Sequence, residues 1–390
     1  MISCGEPSGD LYAGALATEL LRLDPSATIV GLGGRHLREA GASLTADFGG
    51  LSVTGLLEVF RVLPRTYETY RRLVRQAKTN RPDVLVVIDF PDFNFRLARA
   101  VRRLDIPVVY YISPQLWAWR RGRMKTMRQI ADRVLVIFPF EEPIYRQAGI
   151  PVQWVGHPLL DIARPAASRE TFFAELGLDP GRPLVALLPG SRHNELEAIL
   201  PDLVRAGGLI RQRIPAAQFV VARAPHLADE SFAPLDQLSG VVTIEGRSDD
   251  VLAVADVALV ASGTVTVQAA LHECPMVVVY RLSPLTYRLG KPFVHVDTYA
   301  MANLVARRRV VPELIQDEFT PEGVAAEALR VLMDPDHAAS VRRDLHEVRG
   351  RLGAPGASRR AAEAVLDVAN MRTANREPRG ASREARDTME

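Results

Sequence analysis

The chain has 390 residues, 47% of them hydrophobic and 24% charged, with a formal net charge of +2. That length exceeds one typical core and predicts two domains or more. The composition excludes a disordered chain, and a charge so near neutrality gives no argument for a nucleic-acid partner. Cysteine occurs only at Cys4 and Cys274, there is no CxxC or HExxH, and the histidines do not cluster. Neither a disulfide framework nor a metal site is therefore expected, and a reducing compartment fits. The opening MISCGEPSGD lacks the charged and apolar regions of a signal peptide. No run approaches the ~20 apolar residues of a bilayer span, so a soluble or membrane-surface protein is expected.

Ile2–Cys4 reads as a short strand that ends at the turn Gly5-Glu6-Pro7-Ser8-Gly9-Asp10. Leu11, Ala15, Leu16 and Leu20 then mark one face of a helix that Ser8 or Asp10 would cap. Gly5 and Gly9 at such a turn would let a ligand approach the backbone; an ordinary capped connection would look the same. Thr28–Leu32 is a second strand. Leu56, Leu57, Val59, Phe60, Val62 and Leu63 then form an apolar patch leading into a basic helix with Arg65, Arg71, Arg72, Arg75 and Lys78. This suits an anionic membrane surface or an acyl chain, and equally a core helix followed by a solvated one.

Val84–Ile88 is a buried strand ending on Asp89-Phe90-Pro91-Asp92-Phe93-Asn94. Ligands of open parallel sheets bind beyond the carboxyl ends of the strands, where Asp89 should sit. Its aromatic neighbours would partly desolvate it, raise its pKa and improve it as a base. Asp92 or Asn94 is expected to cap a helix over Phe95–Leu104. After the strand Pro107–Ile112, the loop 113–123 carries Trp117 and Trp119 followed by arginines. It could grip a sugar, a lipid head group or a membrane interface, or form a packed aromatic elbow. Val134–Ile137 and Val152–Val155 complete the strands of this half. His157 reads first as a packing residue, and the Pro/Ala-rich stretch 164–168 as a linker.

The second half opens with Leu184–Leu188, an apolar strand stopped by Pro189-Gly190 and followed by Ser191-Arg192 and a helix with Glu195, Leu196, Ile199 and Leu200 on its spacing. A strand, tight turn and helix aim backbone N–H groups and a positive helix end at one point. Arg192 adds a planar cationic fork for phosphate oxygens. A diphosphate clamp and a plain turn with a solvated arginine both fit. Strands at Gln218–Ala222, Val241–Glu245, Val257–Val260 and Met276–Tyr280 follow. Between the last two, Ser262-Gly263-Thr264 repeats the phosphate-type turn, and Gln268 stands one helical turn on, within reach of ribose hydroxyls. Beyond lie helical stretches at 284–291 and from Met301-Ala302-Asn303-Leu304, a basic knot Arg307-Arg308-Arg309, and helices at Pro321–Met333, His337–Arg351 and Ala357–Met371. The charged tail 372–390 reads as disordered.

Strand and helix alternate through both halves, so the expected fold is two doubly wound α/β domains facing a cleft. The motifs GEPSGD at 5–10, IDFPDFN at 88–94, YYISPQLWAWR at 110–120, VGHPLLD at 155–161, LLPGSR at 187–192, ASGT at 261–264 and CPMVVVYR at 274–281 stand in register. Together they closely resemble the lipid-A-disaccharide synthases, inverting glycosyltransferases of the two-Rossmann (GT-B) type. The resemblance runs from the first residues to about Val368.

The resemblance implies transfer of 2,3-diacylglucosamine from UDP-2,3-diacylglucosamine to 2,3-diacylglucosamine 1-phosphate, forming the β-1,6 disaccharide phosphate and UDP. It implies Asp89 as base, Arg192 as diphosphate ligand, and Gly190, Ser191, Ser262, Gly263, Thr264, Gln268 and Asn303 on the nucleotide side. It further implies Gly5, Ser8 and Gly9 at the substrate and Leu56, Val59, Phe60, Leu63, Trp117 and Trp119 at acyl chains or membrane. No cofactor or metal is implied. The expected setting is the cytoplasmic face of the inner membrane. Residues 1–163 would form the acceptor domain and 169–335 the UDP-sugar domain. The helices at 336–371 would pack back on the first domain or against a partner chain in a homodimer. The family usually has Glu where this chain has Gln268, which weakens the expected grip on ribose. The remaining readings are a UDP-N-acetylglucosamine 2-epimerase, a lipid-intermediate N-acetylglucosaminyltransferase, or a non-catalytic nucleotide-sugar-binding protein. Glu6 is the second choice of base.

Overall fold

A computed structural model of the chain describes residues 1–49, 56–117, 121–225, 227–282 and 298–376, with backbone alone at 56–62, 121 and 372–376. The chain divides into two compact units, Met1–Asp161 with a segment returning at Gly353, and Ile162–Leu352. Each is an α/β unit built on a parallel sheet.

In the first unit, β1 (Ile2–Cys4), β2 (Val30–Gly33), β3 (Ser43–Asp47), β4 (Leu85–Ile88), β5 (Val108–Tyr111), β6 (Arg133–Val136) and β7 (Val152–Trp154) lie in the order 3-2-1-4-5-6-7. The order reverses between β1 and β4, the switch point at which such sheets open for ligands. β4 and β5 are runs of Val, Ile, Leu and Tyr buried along their whole length, because helices cover both faces of a parallel sheet. Ile2, Ser3 and Cys4 pair with Val86, Val87 and Ile88, so the two strands end level and Gly5 stands beside Asp89.

The second unit repeats this logic with β8 (Leu184–Leu188), β9 (Gln218–Arg223), β10 (Val241–Glu245), β11 (Val257–Ala261), β12 (Met276–Tyr280) and β13 (Glu313–Ile315), in the order 10-9-8-11-12-13. Here the switch falls between β8 and β11. Leu188 pairs with Val260, which sets the turn after Pro189 level with the turn after Ala261. β3 and β13 are edge strands absent from the sequence reading. Ser43-Leu44-Thr45-Ala46-Asp47 is only part-buried, and Glu313–Ile315 has three residues, so neither carries an apolar run.

Several local expectations change. The helix over Pro7–Leu23 has no side-chain cap from its N-cap residue Glu6. Asp10 instead turns to the next helix, Arg35–Glu39, and accepts hydrogen bonds from the N–H groups of Gly34 (2.7 Å), His36 (2.8 Å) and Leu37 (3.2 Å). The helix expected at Phe95–Leu104 spans Pro91–Arg102, because proline at the first position is pre-set for helix. Asp92 and Asn94 thus lie inside its first turn and do not cap it. The stretch 284–291 lies outside the described residues.

The C-terminal helices separate. Pro335–Arg351 packs on helices of the second unit, including Thr264–Leu271 and Met301–Ala306, whereas Ala357–Arg376 packs on Pro7–Leu23 of the first. Asp161 caps this last helix, accepting from Gly356 N (2.5 Å) and Ser358 N (2.9 Å). Ala357, Ala361, Ala362, Ala364, Val365 and Val368 are buried. The helix continues to Arg376, five residues past the end expected for it at Met371; 377–390 lie outside the described residues. Ending the chain after Leu352 should therefore lower the first unit's melting transition by on the order of 10 °C or more and leave the second unit's unchanged. Scanning calorimetry of the shortened chain tests this; two unshifted transitions would make the last helix an ornament.

Candidate active site

In the first unit the candidate site lies at the end of β4. Asp89 (φ 42°) and Phe90 (φ 47°) are consecutive non-glycine residues in the left-handed region. Each such residue costs about 1–3 kcal/mol and persists only where its surroundings over-determine it. Here Asn94 does so. Its fully buried amide donates to Asp89 O (2.8 Å), Ile88 O (3.1 Å) and Ser3 O (3.3 Å), and its oxygen accepts from Ser3 Oγ (2.8 Å). Tyr110 OH donates to Asp89 O at 2.9 Å. Burial first, and the Asp89 charge second, push the Tyr110 hydroxyl well above its ordinary range, so it stays a donor. The Phe90 ring lies over Gly5, where a Cβ would stand 2.2 Å from the ring. Gly5 thus serves close ring packing. Gly9 meets only an ordinary contact, 3.4 Å from Cys4 Cβ.

The neighbouring loop differs from the membrane grip expected of it. Trp117 is buried; its indole N–H donates to Glu141 Oε1 (3.1 Å) and its ring meets Phe140 edge-on at 5.0 Å. It is a packed elbow. Trp119 and the side chains of Leu56, Val59 and Phe60 lie outside the described residues, while Leu63 is 44% exposed. His157 is a packing residue, 1% exposed. Its Nδ1 accepts from Leu159 N (3.2 Å), and burial lowers its pKa to about 3, so it stays neutral.

In the second unit, Gly190 (φ 123°) makes the turn and the helix His193–Arg213 begins beyond Arg192. Glu195, in its first turn and 8% exposed, reaches back in the manner of a capping box. Its Oε2 accepts from Ser191 N (3.1 Å) and its Oε1 pairs with Arg192 Nη1 (3.0 Å). A Cβ at Gly190 would meet Glu195 Oε2 at 2.6 Å, so the glycine makes room for this carboxylate. The sequence carries the signal, a Glu three residues after Arg192, which the apolar spacing of the helix masks.

On the adjoining turn, open space surrounds Gly263, and Thr266 Oγ1 returns a hydrogen bond to its carbonyl (2.8 Å). Ser262 and Thr264 are half-buried at the same edge. Gln268 donates to Asp249 Oδ1 (3.2 Å), which His272 Nε2 also approaches at 2.9 Å. Its amide is therefore tied to a neighbouring helix. Asn303 does not line the site. It is 1% exposed, donates to Val311 O (2.9 Å) and Glu313 Oε1 (2.6 Å), and accepts from Val310 N (2.7 Å) and Val311 N (3.0 Å). Those four bonds use its whole capacity. Glu313 in turn accepts from Tyr299 N (2.8 Å), and Ser262 Oγ donates to Tyr299 O (3.5 Å), so Asn303 supports the Ser262 turn from behind.

A model of the lipid-A-disaccharide synthetase family matches residues 1–368. The chain belongs to this family. The lipid-A-disaccharide synthase of Geobacter metallireducens is 45% identical over 370 residues, 94% of this chain and 96% of that one. That of Myxococcus xanthus is 41% identical, over 94% of this chain and 97% of its own. Among solved structures, a UDP-GlcNAc 2-epimerase from Neisseria meningitidis bound to UDP-GlcNAc aligns with TM-score 0.65 at 15% identity, over 91% of this chain and 96% of that one. The glycotransferase of kitacinnamycin aligns with TM-score 0.61 at 16% identity, over 94% and 98%. These two likenesses speak to the fold, two Rossmann-like units. Lipid-A-disaccharide synthase membership makes the chain a glycosyltransferase acting on a UDP-sugar donor and an acceptor.

For a synthase of this build, Gly5→Ala should displace the Phe90 ring and with it the Asp89 backbone. Turnover should fall by roughly 10²-fold while UDP affinity, measured by calorimetry, stays within about twofold. Unchanged turnover would show that the ring can move without Asp89.

Proposed function

We propose that this chain joins 2,3-diacylglucosamine from UDP-2,3-diacylglucosamine to the 6-hydroxyl of 2,3-diacylglucosamine 1-phosphate. The observation that carries the residue assignment is the turn after β4, where a carboxylate-bearing residue is held in a costly backbone conformation by Asn94 and Tyr110. Family membership supplies the reaction class.

The α-linked donor and β-linked product require inversion. The acceptor oxygen attacks the anomeric carbon as the bond to the UDP oxygen breaks, and the hydroxyl proton passes to Asp89. Charge then develops on the leaving diphosphate. Arg192, the Ser191 hydroxyl and the adjoining Ser262–Gly263–Thr264 turn are assigned to it, since pre-aligned donors stabilise developing charge without reorganising. Glu195 keeps the Arg192 guanidinium at that turn. Donor binding is thus assigned to the second unit and proton abstraction to the first.

The site of action assigned to the enzyme is the cytoplasmic face of the inner membrane. No helix among the described residues is long and apolar enough to cross a membrane. The helix Leu56–Asn80 exposes Leu63, Tyr67 (62%), Arg65, Arg71, Arg72, Arg75 and Lys78, a mixture that suits an anionic lipid surface.

Mass spectrometry of the product of the two diacyl substrates tests the reaction directly. Asp89→Asn should lower kcat by about 10²–10⁴-fold with UDP affinity unchanged. Arg192→Ala should instead weaken UDP binding by roughly 10- to 100-fold, the worth of a charge-assisted hydrogen bond. Full turnover by Asp89→Asn would move the base elsewhere, with Glu6 next. Consumption of UDP-N-acetylglucosamine without any disaccharide would favour an epimerase.

A further inference from the structure

Glu141 belongs to none of the motifs assigned to the reaction, yet it is a buried carboxylate at the first unit's carboxyl edge. It begins the helix Glu141–Gln147 just after β6 and is 2% exposed. Its Oε1 accepts from Trp117 Nε1 (3.1 Å) and its Oε2 from Phe138 N (3.2 Å). One helical turn on, Tyr145 meets the same loop: its hydroxyl bonds Ser113 Oγ and donates to Pro114 O (3.2 Å). Residues 141 and 145 share a helix face, so together they hold both ends of the segment Ser113–Trp117. That segment begins beside Ile112, whose carbonyl accepts from Asp89 N (3.3 Å). Ile112 is itself left-handed, with φ 56°. A continuous set of bonds therefore runs from Glu141 through Trp117 and the loop to the Asp89 backbone.

We propose that Glu141 is a positioning residue for the transfer, its carboxylate holding the Ser113–Trp117 loop, and through it Asp89, in the reactive arrangement. This rests on the assignment of Asp89 as base.

The electrostatics make the device pH-sensitive. Burial raises the Glu141 pKa from 4.5 to about 7, opposed by the Trp117, Phe138 and Ile137 N–H groups and assisted by the Asp89 charge. Among the described residues, Asp89 on the β4 turn is the charged group that acts on it, and the Glu141 charge in turn helps to raise the Tyr145 hydroxyl. The sign follows. The folded chain holds this proton more tightly than the unfolded one, so the stability associated with it is present below pH 4.5 and is lost as pH rises through about 7. An ionised Glu141 thus costs stability at neutral pH. A group kept against such a cost beside a proposed base is a functional candidate.

Two readouts on the full chain test the proposal: the pH profile of turnover, and tryptophan fluorescence against pH. Wild type should show a fluorescence transition centred near pH 7, with kcat falling on its acid side. Glu141→Gln should abolish the transition and flatten that limb, with kcat about 10-fold lower and the donor KM unchanged. Trp117→Phe removes an N–H that favours the ionised form, so the acid limb should move to higher pH; this variant serves where the first folds poorly. A limb and a transition that survive both substitutions unchanged would overturn the proposal. The fluorescence titration needs no turnover, so its outcome is separable from failure of the assigned reaction. A full-rate Asp89→Asn enzyme would sink the base and leave the Glu141–Trp117 contact standing.

Discussion

The structure of the first unit depends on how the chain leaves β4. Two successive left-handed residues, Asp89 and Phe90, would relax in a free peptide, since each is disfavoured by about 1–3 kcal/mol. They hold because the backbone carbonyls they turn inward all find donors. Asn94 reaches the carbonyls of Ser3, Ile88 and Asp89 at once, and Tyr110 takes the second lone pair of Asp89 O. Because Ser3 lies on β1 and Asn94 on the helix after β4, the same bonds fasten together the two strands that flank the switch point. Gly5 completes the arrangement by letting the Phe90 ring pack closely on the β1 turn. One asparagine side chain thus couples sheet order, turn geometry and the placement of a carboxylate.

The second unit solves a similar problem with internal carboxylates. Glu195 and Glu313 are both nearly buried, and each accepts hydrogen bonds from backbone N–H groups close to a proposed phosphate turn. A buried carboxylate is costly unless bonded; here its partners are the groups that must be held still. Glu195 fixes Ser191 and Arg192, while Glu313 and Asn303 fix Tyr299, against which Ser262 rests. Asp249 gathers Gln268 and His272 in the same way. The polar residues nearest the turns are mostly supports, which is how a small set of ligand-facing groups can be kept rigid.

The strands were legible because parallel strands buried on both faces read as unbroken apolar runs, as in Leu184–Leu188 and Leu85–Ile88. The turns at their ends were legible because glycine, serine and a charged residue break such runs abruptly. What stayed hidden depended on partners distant in sequence. Asn303 and Gln268 have the right chemistry for a nucleotide, and only the fold reveals that Val310, Val311, Glu313 and Asp249 already engage them. Trp117 looked like an interface residue until Glu141, 24 positions away, claimed its N–H. β3 and β13 escaped because edge strands are short and half-solvated. Asp10, one of two candidate caps for its own helix, serves the next helix instead, since its three N–H partners lie 24 to 27 residues on.

The two units place opposite electrostatics on one architectural device. Each ends its pair of switch-point strands level, as the pairings Cys4 with Ile88 and Leu188 with Val260 require. In the second unit the turns present a helix start and Arg192, both favourable to negative charge. In the first unit the corresponding turn carries Asp89, with Glu141 electrostatically close behind it, and negative charge there is disfavoured. Proton acceptance, the role proposed for Asp89, calls for a carboxylate at that turn. A diphosphate leaving group needs the reverse. The two demands are tuned separately, because each turn draws its electrostatics from side chains of its own unit.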